Sequence, residues 1–174
     1  MHISTRIQRS CAELYAITAR DQTDDAFAMA LKAWVSGSLA KVSSRLAGRV
    51  AGSALLQFIL KTPPAELPVA QEALRQLGDW AHAGIDEKDQ DRYFDCVTGW
   101  MEDIVCPALD DCPLCQSERR LLRDRVSGEP LIECSCCGRL SSFPLDRDAT
   151  APGGVDVPTR GELARWLSLR GQGG

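Results

Sequence analysis

Cys112-Pro113-Leu114-Cys115, eighteen further residues, then Cys134-Ser135-Cys136-Cys137-Gly138: five of the chain's eight cysteines stand in one short stretch. Two C-x2-C pairs at this separation suit a tetrahedral metal site made of thiolates. Where thiols are kept reduced, metal ligation explains the density better than disulfides do. Gly138 follows the second pair, where a tight backbone turn needs a residue without a Cβ. Cys136 leaves a choice within that pair. Matched C-x2-C spacing favours Cys137 over Cys136. Two other readings use the same residues. Cys112 and Cys115 alone form a thioredoxin-like redox pair, but no β-α-β pattern surrounds them, and Asp110-Asp111 beside them raise a thiol pKa rather than lower it. A redox-sensitive metal site is the other.

Between the pairs, the segment 121–134 reads as two short strands around the turn Ser127-Gly128-Glu129-Pro130. Taken together, Cys112-Pro113-Leu114-Cys115, the hairpin and Cys134-Ser135-Cys136-Cys137-Gly138 resemble a zinc ribbon over residues 112–145. The resemblance implies a knuckle at each of two hairpin tips, with Cys112, Cys115, Cys134 and Cys137 closing one structural Zn2+ site. A closed four-thiolate site has no open position for water or substrate, so its expected role is to hold the fold. Metal-binding free energy then doubles as folding free energy.

Downstream, the segment 148–158 contains Ala151-Pro152-Gly153-Gly154 and is expected to be a linker. Thr159-Arg160-Gly161-Glu162 has the form of a capping box, and Leu163, Trp166 and Leu167 predict a short helix that docks back on the body. Upstream, the texture is helical. Ile7, Cys11, Leu14 and Ile17 fall on one stripe, and Thr23-Asp24-Asp25 is a helix start. A long helical region follows from Phe27 to Ile59, weakened by Gly37, Gly48 and Gly52 and ended by Pro63-Pro64. Leu67, Ala70, Leu74, Leu77 and Trp80 predict another helix, with Pro68 in its first turn and Gly84 as its stop. Asp86 is placed to cap a last one carrying Phe94, Val97, Met101, Ile104 and Val105, closed by Cys106-Pro107.

The expected fold is therefore mainly α: a helical bundle followed by a small β zinc ribbon and a short C-terminal helix. Its parts are an α-helical body over 1–107, a ribbon over 108–147, a linker over 148–158, and a helix and tail over 159–174. Cys11, Cys96 and Cys106 are expected to pack rather than ligate, and most of Trp34, Trp80, Trp100 and Trp166 to lie in the core.

Composition narrows the function. The longest run without Asp, Glu, Lys or Arg is eleven residues, 50–60, about half of what a bilayer requires. The first residues lack a secretory core, so the expected location is cytoplasmic. Only two histidines occur, His2 and His82, and no phosphate loop, nucleophile elbow or dinucleotide fingerprint appears. The expectation is a protein that is not an enzyme. The formal net charge of −4 conceals an asymmetry: residues 1–61 carry net +4, residues 62–111 net −9, and residues 112–174 net +1. An acidic segment favours a basic partner. Asp86, Glu87, Asp89, Asp91, Asp95, Glu102 and Asp103 are thus the candidate surface for a protein partner of a regulator, adaptor or immunity-type inhibitor. The alternative is a transcriptional regulator whose ribbon binds nucleic acid through Arg119, Arg120, Arg123, Arg125 and Arg139. Interleaved Glu118, Asp124, Glu129 and Glu133 weaken that basic edge.

Overall fold

The computed structural model describes residues 3–20, 22–70, 73–74 and 90–170. The chain is mainly helical with a small antiparallel sheet, and it divides into two compact units, Met1–Ile104 and Val105–Gly174.

The first unit contains α1 (Ile3–Thr18), α2 (Asp24–Trp34), α3 (Ser44–Gly52) and α4 (Ala54–Lys61); α5 (Gln90–Val105) runs to its boundary. The α1 stripe is buried at Ile7, Cys11, Leu14 and Ile17. Thr23 caps α2, accepting a hydrogen bond from the Ala26 N–H. The region 27–59 is not one rod. Ser43 and Ser53, both with extended backbone, accept from the Leu46 and Leu56 N–H groups and start α3 and α4. Thus serine caps, which satisfy orphan donors, set the breaks more than the glycines do: Gly48 lies within α3 and Gly52 ends it. A π-helical turn, Val35–Leu39, follows α2 directly. After Lys61 the prolines act as expected, with Pro64 opening a 3-10 turn, Pro64–Glu66. Leu67, expected in a helix, is extended and fully buried instead. Phe27, Leu31, Leu39, Leu46, Leu56, Ile59, Val97, Met101 and Ile104 are buried, as is Trp34, whose indole N–H donates to the Ser10 carbonyl at 2.8 Å. Trp100 is half-buried. Trp80, His82, Gly84 and the expected Asp86 cap lie outside the described residues.

The second unit is built on strands β1 (Ala108–Asp111), β2 (Glu118–Asp124), β3 (Pro130–Cys134), β4 (Leu140–Ser142) and β5 (Val155–Asp156), followed by helix α6 (Arg160–Arg170). All pairings are antiparallel, in the order β1-β2-β3-β4, with β5 joined to β2. Leu121 faces Ile132 across the β2–β3 ladder. These two, with Phe143 and Trp166, form the buried cluster, and Leu109 and Leu163 pack against it. The C-terminal helix therefore packs on this sheet. The capping box forms as read: the Thr159 N–H donates to Glu162 at 2.8 Å, and the Glu162 N–H to the Thr159 hydroxyl at 3.3 Å. The segment 148–158, expected as a linker, is instead stitched to the sheet. Asp148 bridges Ser141, and Val155–Asp156 pairs with Asp124 and Arg123. Its prolines and glycines shape a turn, closed by Gly154 N–H to the Ala151 carbonyl at 2.8 Å, rather than a free tether.

One turn geometry recurs four times in this unit, at 112–117, 124–129, 134–139 and 142–147. The first residue's N–H donates to the sixth carbonyl at 2.8, 2.8, 3.0 and 2.8 Å. The fifth N–H donates back to the first carbonyl at 2.8, 2.9, 3.1 and 2.8 Å. The fifth residue is left-handed each time: Gln116, Gly128, Gly138 and Asp146, with φ of 59, 75, 66 and 50°. Such a turn joins antiparallel strands with a matching right-handed twist. Successive turns of a meander alternate between its ends, so the two cysteine turns share one end and the Asp124 and Ser142 turns share the other.

Candidate metal centre

Strand pairing brings the two cysteine turns together. The ligand atoms of Cys112, Cys115, Cys134 and Cys137 all lie within 4.8 Å of one another. Across the turns, Cys112 Sγ is 3.9 Å from Cys137 Sγ, and Cys115 Sγ is 3.4 Å from Cys134 Sγ. A tetrahedron with metal–sulfur bonds of 2.3 Å has edges of about 3.8 Å, so the spacing fits a four-sulfur shell, whereas a disulfide needs about 2.05 Å. All eight cysteines are free thiols. Cys136 is exposed and stands outside the cluster. The turn explains why: its first and fourth residues flank the tip on one side, so Cys134 groups with Cys137, three positions on, as Cys112 does with Cys115.

The first turn prepares its two sulfurs as anions. The N–H groups of Leu114 and Cys115 lower the Cys112 pKa. The Ser117 N–H, with the neighbouring Cys134 thiol, holds Cys115 down to about 6. Cys137 goes the other way: although the Arg139 N–H favours its thiolate, Cys134 and burial push it up to about 11. Negative charge gathered on the first pair thus opposes ionisation of Cys137. A cation among the four sulfurs removes that conflict, and the set can hold one metal ion.

At the opposite end of the sheet, the corresponding first position is Asp124. Its carboxylate accepts the Val126 and Ser127 N–H groups at 2.8 and 2.7 Å. Those bonds, Ser127 first, hold its pKa below the ordinary carboxylate range. Asp124 caps its own turn, a role sequence reasoning missed. The signal was present: an acceptor at position one and glycine at position five, as at Cys134 and Gly138.

The candidate nucleic-acid residues all have acidic partners within this unit. Arg119 is nearly buried and forks onto Asp110, with Nε–Oδ1 at 2.6 Å and Nη2–Oδ2 at 2.9 Å, while Nη1 reaches Asp146 at 2.8 Å. These carboxylates raise its pKa, Asp110 foremost. Arg120 is 3.8 Å from Glu118. Arg123 meets Glu162 at 3.3 Å and Asp156 at 3.6 Å, and Arg125 holds Asp156 at 2.9 Å. Arg139 meets Asp148 at 2.9 Å. The arginines serve as ties between strands, turns and α6. No sequence signal announced these pairs, because every partner except Glu118 is nine or more residues away.

The candidate acidic surface is also partly engaged. Asp91 pairs with Arg45 and, at 3.2 Å, with Arg49; Asp95 meets Arg49 at 2.6 Å. Arg49 also lies 4.1 Å over the Phe94 ring. The basic face of α3 therefore answers the acidic face of α5 within the first unit. Glu102 and Asp103 are exposed. Asp86, Glu87 and Asp89 lie outside the described residues. Among the described residues no helix is long and apolar enough to cross a membrane.

Comparison of the chain with protein-family models, with curated proteins and with solved structures finds no match in any of the three. The class defined by fold and site is a small antiparallel sheet with a four-cysteine metal-binding cluster, compatible with a zinc ribbon.

Proposed function

We propose that this is a non-catalytic zinc protein: one Zn2+ on Cys112, Cys115, Cys134 and Cys137 holds the second unit in shape, and that unit presents its loops to another protein. The observation carrying the metal reading is the four sulfurs gathered within 4.8 Å at two matched turns. All-sulfur donors select a soft or borderline cation, and zinc is the one that takes a tetrahedral thiolate shell without redox chemistry. Four protein ligands leave no coordination site for a substrate, so the zinc does structural work.

Protein recognition is favoured over nucleic acid by the state of the arginines. Phosphate binding draws on clustered cations that release counterions, and Arg119, Arg120, Arg123, Arg125 and Arg139 are each neutralised by a carboxylate of the same unit. The turns meanwhile present apolar tips. Leu114 is 71% exposed beside the metal, and Val126 and Leu145 are 77% and 65% exposed on the other two turns. Apolar side chains held out by rigid turns are anchors for a protein surface. Asp91 and Asp95 are already paired to α3, so the acidic contribution to a partner surface is reduced.

Elemental analysis of the purified chain is expected to give one zinc per molecule, lost in Cys112→Ser and Cys137→Ser and retained in Cys136→Ser. Unchanged metal in the first two variants would refute the site. Partner capture from the native cell is expected to fall with Leu114→Glu and to resist 0.5 M salt and nuclease. Capture of nucleic acid that fades steeply with salt would replace this reading with the alternative.

A further inference from the structure

The first unit holds a cleft unrelated to the metal. It has a volume of about 310 Å3 and is lined by Arg6, Arg9, Ser10, Glu13, Gly37, Ser38, Lys41 and Val42. One wall is α1; the other is the π-helical turn Val35–Leu39 and the residues after it. This size sits at the lower end of small-ligand sites. From this cleft we infer a binding site for a small organic anion, a phosphate or carboxylate on a compact body, gripped by Arg6 and Lys41.

Four observations converge. The cleft concentrates three cations, Arg6, Arg9 and Lys41, against one carboxylate, Glu13, in a chain of net charge −4. Glu13 is already satisfied, accepting from Arg9 at 2.8 Å and from the Ser38 hydroxyl, so the surplus charge falls to the other two. Arg6 gives one Nη1 bond, 3.3 Å, to the Val42 carbonyl, which leaves most of its fork unengaged, and Lys41 has no hydrogen-bond or ion-pair partner among the described residues. Such a fork, steadied at one nitrogen, suits bidentate capture of a planar or tetrahedral oxyanion.

The walls are unusual in ways that serve a ligand. A π-helical turn is a rare irregularity frequent at functional sites. Here it offers Gly37 and Ser38 to the cleft, and a Cβ added at Gly37 would meet nothing within 4 Å, so that glycine leaves the space open. Ser10, 1% exposed, closes the opposite wall.

The test uses the full, metal-loaded chain. Calorimetric titration at low ionic strength with inorganic phosphate, AMP and succinate is expected to show saturable one-site binding for at least one of the three. Arg6→Gln and Lys41→Gln should each weaken it tenfold or more. Gly37→Leu, which fills the cleft without touching its charges, should abolish it, whereas Gly52→Leu, also in open space, should leave it unchanged. Melting temperatures within a few degrees of the parent establish that each variant folds. Absence of saturable binding for all three probes overturns the inference. So does binding that survives Gly37→Leu, since that is the signature of loose surface charge rather than a site.

Discussion

The two units solve the same problem with different physics. The helical unit buries a broad apolar set, including Ile7, Leu14, Phe27, Leu31, Leu46, Leu56 and Ile59, and needs polar groups mainly at its helix caps. The sheet unit has a cluster of four buried residues, Leu121, Ile132, Phe143 and Trp166. Val105, Leu122 and Leu131 are buried in this unit as well, an apolar set still smaller than that of the helical unit. Four matching turns and a web of arginine–carboxylate pairs add to that burial, and the four cysteines could hold a metal ion besides. The contrast teaches where each unit is vulnerable.

Metal removal should separate them most sharply. Chelation, or Cys112→Ser, should remove on the order of 10 kcal/mol of binding free energy that doubles as folding free energy. Hydrogen exchange is expected to show loss of protection across 108–156 and retention in α1 to α4; uniform loss would contradict the division. Next in size is Trp166→Ala, which empties a quarter of the sheet unit's small cluster and should cost about 4 kcal/mol, read as earlier denaturant unfolding of that unit. Arg119→Ala comes third. It frees Asp110 and Asp146 and should cost roughly 2 kcal/mol, with metal still bound.

Acid tests the same web without mutation. Arg119 lowers the pKa of Asp146, and the turn N–H groups lower that of Asp124. A carboxylate whose folded pKa is depressed contributes stability fully above its unfolded value of about 3.9, and loses it as pH falls through the folded value. In metal-independent measurements this contribution should be flat above about pH 5 and decline below about pH 4. Arg119→Ala should remove the Asp146 share. The smallest expected effect is in the helical unit, where Ser43→Ala or Ser53→Ala should each cost about 1 kcal/mol and leave the sheet unit's exchange untouched.

Much of the helical unit was legible because its instructions are local. The α1 stripe, the Thr23 cap and the stop at Pro63-Pro64 each depend on residues within a turn or two, and they appear as read. Glycines make a single rod over 27–59 doubtful, and the region is indeed broken, but at the serine caps 43 and 53 rather than at the glycines. The cysteine spacing was legible for the same local reason, since a turn that returns the chain to itself sets the fourth residue beside the first. The charge surfaces were not. Arg49 finds Asp91 and Asp95, and Arg119 finds Asp146, only after distant elements pack, so a net count along the chain could not reveal which charges were spent.

By itself, then, the order of residues determined the α1 stripe, the start of α2 at Thr23, the capping box at Thr159 and the two cysteine pairs, because neighbours along the chain interact whatever the fold. Tertiary structure alone decided that 148–158 is bound to the sheet and that the arginines pair with acids of the same unit. Those outcomes depend on strand register and on which distant groups come within a few ångströms, and electrostatic and coordinate bonds are strong only at that range.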